Sequence, residues 1–172
     1  MFRQLSIFAA LSLLATTGFS QTEGPTDPQI AHIVVTANTI DIEAGKLAEK
    51  SKNKEIRDFA KLMITDHTAV NKQATALAKK LNVTPEDNDT SKALRKGADE
   101  NVANLKTLKG AAFDKAYADH EVAYHQQVLD AIDKALIPNA KNAELKALLE
   151  KTRPAIAAHL EHAKKVQVAF NK

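Results

Sequence analysis

From Ile56 to Leu81 the chain sets Ile56, Ala60, Met63, His67, Val70, Ala74, Leu77 and Leu81 in alternating steps of four and three residues without a break. That seven-residue rhythm is the seam of a helix packed lengthwise in a bundle. A strand cannot use it, because strand side chains alternate with period two. One position keeps the spacing but changes the chemistry: an imidazole stands at His67, where an aliphatic side chain belongs. The same exchange recurs on two further helices.

The other segments repeat the pattern. Helix one is expected from about Pro28 to Lys50, with Ile30, Ile33, Val34, Ala37, Ile40, Ala44 and Leu47 on one face. Helix two begins behind Asn53, whose side chain suits the free amides of a first turn, and runs to about Asn82. Helix three, about Thr90 to Leu108, is weaker and carries Leu94, Ala98, Val102 and Leu105; Gly110 ends it. Helix four, about Ala111 to Leu136, has Ala118, Val122, His125, Leu129, Ile132 and Leu136 as its seam. Helix five is expected to be capped by Asn139 and to run from about Ala140 to Phe170 through Leu145, Leu149, Thr152, Ile156, His159, Ala163 and Val166. Pro154 lies inside it and predicts a kink one turn before His159. The chain has only five glycines and five prolines, most of them at boundaries. The expected fold is all-α: an up-down bundle of four long helices plus one shorter helix.

The N-terminus reads as an export signal rather than as part of that bundle. Arg3 supplies a basic start, Ile7 to Ala15 a short apolar run, and Gly18-Phe19-Ser20 small residues before a cleavage point. The expected organisation is a secretory signal peptide at 1–20, a polar lead-in at 21–28 and the bundle at 29–171. Cleavage leaves about 150 residues, enough for one domain with a single core. It removes Arg3 from 24 cationic residues while all 21 acidic ones stay, leaving a net charge of +2. So mild and evenly spread a charge gives no electrostatic case for nucleic acid. No later stretch is apolar and long enough to cross a membrane. There is no cysteine, which excludes disulfides, thiol catalysis, iron–sulfur clusters and thiolate zinc sites. A periplasmic location fits best.

His67, His125 and His159 therefore mark a shared polar site inside the bundle. Neutral imidazoles bind zinc, copper, nickel or iron, and carboxylates suit iron and manganese. Glu43 borders the apolar face of helix one and is expected to complete the metal ligands with the three histidines. Asp66 points about 100° away from His67. Glu121 lies one turn before His125, and His162 one turn after His159. Asp66, Glu121 and His162 are read as residues that orient the ligands. Tyr117 and Tyr124 are expected between helices with their hydroxyls near the surface, and His32 and His120 outside the site. The Glu-x-x-His pairs of di-iron bundles do not occur: Glu43, Glu121, Glu144 and Glu161 are followed three residues on by Lys46, Tyr124, Ala147 and Lys164. No phosphate loop or nucleophile elbow is present either.

Several segments in order resemble one bacterial family. They are Asp41-Ile-Glu43-Ala-Gly45-Lys-Leu47-Ala, Phe59-Ala-Lys-Leu-Met63-Ile-Thr-Asp66-His67-Thr, Gly110-Ala-Ala-Phe113-Asp114-Lys-Ala-Tyr117, His125, and Pro154-Ala-Ile-Ala-Ala-His159-Leu. Together they resemble the family called domain of unknown function 4142. The resemblance implies a ferritin-like, exported bundle and points to Glu43, Asp66, His67, Asp114, His125 and His159, with Asp114 as an orienting or helix-capping residue. The reading that follows is an exported bundle holding iron, manganese, zinc or copper at an internal His/carboxylate site, for metal handling or envelope stress. It leans away from an enzyme. Two alternatives stay open: a non-enzymatic envelope stress or interaction module with structural histidines and no metal, and a bundle that responds to pH through the same imidazoles.

Overall fold

A computed structural model describes residues 24–170 as an all-α bundle. Its elements are α1 (Asp27–Ala48), α2 (Lys54–Lys80), α3 (Asp89–Thr107), α4 (Gly110–Ala131), a π-helical turn (Ile132–Leu136), the single turn α5 (Ile137–Asn139) and α6 (Ala143–Val168). The segment read as a signal peptide lies outside the described residues. Among those described, no helix is long and apolar enough to cross a membrane.

Local chemistry sets most boundaries. α1 starts inside the expected lead-in because Thr26 and Gln29 form a reciprocal capping box. The Asn53 side chain accepts from the amides of Glu55 and Ile56, as its sequence position predicts. α2 ends on Asn82 at φ 53°, with the Val83 amide donating back to the Ala78 carbonyl. This is a left-handed helix stop, a conformation that asparagine tolerates better than other non-glycine residues. Asn139 does not cap the last helix. Its side chain donates to the Ala135 carbonyl, and Asn142 caps α6 instead. Helix four does not reach Leu136 as a regular α-helix. It widens into the π turn just before Pro138, which cannot donate and whose ring crowds the carbonyl four residues back. α6 runs through Pro154 as a single helix, with the proline on its exposed face. There the carbonyl that loses its partner can turn to water.

Hydrogen bonds at the two ends give the helix directions. At one end Asp27 accepts from the amides of Lys141 and Asn142, and the Glu86 amide donates to the Pro28 carbonyl. At the other, Ser51 donates to Asp114, and Gln167 donates to Asp119. Successive long helices therefore alternate direction. α1, α2, α6 and α4 surround the core, while α3 packs chiefly on the outside of α1. Gly45 allows a close approach of α1 to α2: a Cβ there would lie 2.9 Å from Ile64 Cγ1 and 3.2 Å from the Ala60 carbonyl oxygen. This tight crossing sets α1 against the His67 face of α2.

Two large apolar clusters fill the bundle, and a small third one joins Ile40, Ala98 and Tyr124. One contains Ala44, Ile56, Phe59, Ala60, Met63, Tyr117 and Ala163; the other contains Ile30, Ile33, Ile132, Leu136, Leu149 and Ile156. A layer of buried polar side chains separates them: Asn38, Asp41, His67, Glu121, His125 and His159.

Candidate metal centre

Each residue of this layer comes from near the middle of a core helix. α1 gives Asn38 and Asp41, α2 gives His67, α4 gives Glu121 and His125, and α6 gives His159. The three imidazole rings form a triangle with centroids 5.2, 5.5 and 5.6 Å apart. One ligand atom from each lies within 4.8 Å of the other two, and Asp41, Glu121 and His125 form a second such group that shares His125.

Hydrogen bonding fixes which nitrogen of each ring is free. Asn38 donates its amide to the Val34 carbonyl, so its oxygen is left to accept, and His67 Nδ1–H donates to it at 2.7 Å. His125 Nδ1–H donates to the Glu121 backbone carbonyl at 3.0 Å. His159 Nε2–H donates to the Asp66 carboxylate at 2.9 Å. The nitrogens left with lone pairs are His67 Nε2, His125 Nε2 and His159 Nδ1. These three are buried and have no hydrogen-bond partner. Asp41 Oδ2 lies 3.1 Å from His67 Nε2 and 3.3 Å from His125 Nε2, yet neither Asp41 oxygen receives a hydrogen bond.

Buried polar groups that face one another are costly unless a donor reaches them, and Asp41, when protonated, is placed to donate to His67 Nε2 or His125 Nε2. Burial keeps the groups uncharged. It pushes His67 down to about 3 and His125 down to about 4, helped at His67 by the neighbouring imidazoles. His159 is also lowered by burial, against the pull of Asp66. Burial pushes Asp41 up to about 8 and Glu121 well above the usual carboxylate range, the latter with help from Asp41. The layer is thus three neutral imidazoles beside two carboxyls that hold protons.

This donor set fits a divalent transition ion. On a tetrahedral ion with bonds of about 2.0–2.1 Å, neighbouring ligand atoms lie roughly 3.3 Å apart. The two Asp41–histidine separations already match that spacing. Each imidazole also donates its second nitrogen to a carbonyl or carboxylate, the arrangement that fixes tautomer and ring orientation in metal sites.

A family model, "Domain of unknown function (DUF4142)", matches residues 14–166. The chain belongs to this family. A comparison with curated proteins gives no match. Among solved structures the DUF4142 chain is similar to one described as "CopM in the Cu(II)-bound form", with TM-score 0.65 and 16% identity over 84% of this chain and 98% of that one. At this identity the likeness shows a shared helical fold.

The sequence-derived site is partly reassembled. His67, His125, His159 and Glu121 come together in the DUF4142 bundle, and Asp66 holds His159 rather than His67. Glu43 does not join them. Its carboxylate is half-exposed and makes a two-pronged pair with Arg95 of α3, at 2.7 and 3.2 Å. The Glu43 position on the edge of the stripe turns outward to α3, and Asp41 takes the inner place. Asp114 accepts from Ser51 and ties α4 to the α1–α2 loop, away from the histidines. His162 is exposed and packs edge-on against Phe59. The tyrosine hydroxyls are not near the surface: Tyr117 is fully buried, and Tyr124 donates to the Ala37 carbonyl. His120 is half-buried and stacks on Tyr124, outside the triangle.

Asp41 and Asn38 are the residues that sequence reasoning missed. A signal existed. Ala31, Asn38, Asp41, Ala44, Gly45 and Ala48 are all buried and spaced for one helix face. The stripe chosen on α1 shares Ala44 with this face but otherwise follows larger side chains, and passes over Asn38 and Asp41.

Proposed function

We propose that this protein is an exported metal-binding bundle whose ion is held by His67 Nε2, His125 Nε2, His159 Nδ1 and Asp41. The observation that carries the reading is the match between orphaned atoms and ligand atoms. Each of the three histidines keeps one buried nitrogen without a partner, their ligand atoms lie within 4.8 Å of one another, and Asp41 stands beside two of them to supply the carboxylate. Glu121 stands behind His125, with Oε2 3.4 Å from its Nδ1. Binding requires Asp41 to give up its proton, so uptake of the ion releases protons.

Copper(II) is the first ion to test. Among divalent first-row ions it binds nitrogen and oxygen donors most tightly. A structural relative described in a copper(II)-bound form supports the choice. Zinc, iron(II) and manganese(II) suit the same donors less well or equally in type, and competition ranks them. Metal handling at the cell envelope is the role we propose, joining the expected export signal to a buried site.

The test is metal analysis of the mature protein, isolated untagged from the exported fraction and after reconstitution with each of the four ions. The expected result is one equivalent of bound ion, lost in the His67→Ala/His159→Ala double variant while helicity by circular dichroism persists. Full binding in that variant, or no uptake of any ion by the parent, overturns the reading.

A further inference from the structure

Asp66 links the buried polar layer to solvent. The His159 side chain is 7% exposed, and the Asp66 carboxylate that accepts from its Nε2–H is 40% exposed. The partners of the other two rings lie inside. Asn38 is buried and tied to the Val34 carbonyl, and His125 donates to the backbone carbonyl of the buried Glu121. Freeing His159 therefore breaks one hydrogen bond to a solvent-facing side chain. Freeing His67 or His125 disturbs the interior. The surface around Asp66 and His159 is also thinly covered: Ala69 on α2 and Ala155, Ala158 and His162 on α6 are exposed. Pro154 removes one backbone donor of α6 about a turn before His159, so this stretch bends more easily.

The other approaches do not suit an ion. Asp41, Glu121 and His125 are fully buried, and α3 packs over α1. A cavity of about 430 Å³ adjoins the layer beside the π turn, with Ile33, Val128, Ile132 and Ile156 among its walls. A hydrated dication entering there gives up its water to aliphatic side chains that offer no ligand. A surface carboxylate does the opposite. It attracts the cation and replaces its water with an oxygen ligand.

We infer, on the basis of the metal reading above, that Asp66 is the entry port of the site. It takes a divalent cation from solvent and passes it to the inner imidazole nitrogens as the His159 ring swings aside and returns. No covalent bond changes: the ion exchanges water for the Asp66 oxygen, and that oxygen for nitrogen. Asp66 therefore sets how fast the site loads, besides holding the His159 ring.

The test is the rate of copper(II) uptake by the metal-free mature chain in stopped flow. Uptake is read by quenching of tyrosine emission, since the chain has no tryptophan and the Tyr124 ring lies 6.1 Å from that of His125. Release is read by transfer to excess chelator. Asp66→Asn keeps an oxygen to accept from His159 and removes the charge. It should slow uptake about tenfold at low ionic strength and still reach one equivalent. Ala158→Lys, at an exposed position beside His159, should slow uptake severalfold, with the effect shrinking as salt screens it. Ala131→Phe, which enters the cavity, should leave the uptake rate as in the parent. A residue that only orients His159 would speed release without slowing uptake. That pattern in Asp66→Asn, or slower uptake in Ala131→Phe alone, overturns the inference while the metal reading stands. No uptake of any ion by the parent overturns both, so the two failures are distinguishable.

Discussion

The two halves of the bundle on either side of the polar layer are packed by different means. The half that holds the α1–α2 loop is filled. Phe59 meets Tyr117 at 6.2 Å and His162 edge-on at 4.9 Å, with Met63 and a set of alanines closing the gaps. The half that holds the α2–α3 connection is built from isoleucine, leucine and valine, and leaves the 430 Å³ cavity. Rings and small residues interdigitate where helices approach closely, as at Gly45. The aliphatic side chains around the π turn, Ile132 and Leu136, line the cavity instead. The contrast assigns close packing to one half and open space to the other.

The largest test of that contrast is Phe59→Ala. It removes a fully buried ring from the filled half and should cost about 3–5 kcal/mol in urea unfolding. A smaller loss would mean that this half collapses readily and is not close-packed. Next comes a pair of enlarging substitutions. Ala118→Leu overpacks the filled half and should cost about 1–3 kcal/mol. Ala131→Phe enters the cavity and should cost less than Ala118→Leu in the same assay. Equal costs would erase the difference between the halves.

A third prediction concerns the layer between them in the metal-free protein. His67 and His125 have folded values of about 3 and 4 against an ordinary 6.5. The unfolded chain therefore takes up protons that the folded chain refuses. Their contribution to stability is complete above pH 6.5 and is lost as pH falls towards 3–4. Asp41 behaves in the opposite sense. Raised from 3.8 to about 8, it contributes fully below pH 3.8, and that contribution is lost as pH rises through 8. Thermal unfolding against pH should decline on both sides. His67→Gln should flatten the acid limb, and Asp41→Asn the alkaline limb. Unchanged limbs would place the charge changes elsewhere.

The smallest expected effect separates Glu43 from Asp41. Glu43→Gln breaks a half-exposed pair with Arg95, worth under about 1 kcal/mol, and should leave metal uptake unaltered. Asp41→Asn should reduce metal affinity by at least tenfold in chelator competition. Equal effects on uptake would restore Glu43 as a ligand.

Much of this was legible from residue spacing. Periodicity gave the helices, their order and three of the four proposed ligand residues, because an imidazole within an apolar seam is conspicuous. On α1 the expected ligand was Glu43, whereas the carboxylate beside the histidines is Asp41, two residues earlier. Both Glu43 and Asp41 flank the stripe of large aliphatics, and periodicity on one helix does not say which flank meets a partner. On α4, Val122 and Leu129 look like core and are half-buried, whereas Glu121 and Tyr124 are buried. The helix is rotated from the face its aliphatics suggest, so that Glu121 points inward.

By itself, then, the sequence determined what short-range physics controls: helical period, capping at Asn53, the stop near Asn82, and the presence of histidine where leucine is usual. The tertiary structure alone decided which nitrogen of each ring is free, that Asp41 and not Glu43 faces them, and that a cavity adjoins the layer. Those outcomes depend on contacts between helices distant in sequence. A side chain's protonation, partner and exposure are set by the surfaces packed against it, not by its neighbours along the chain.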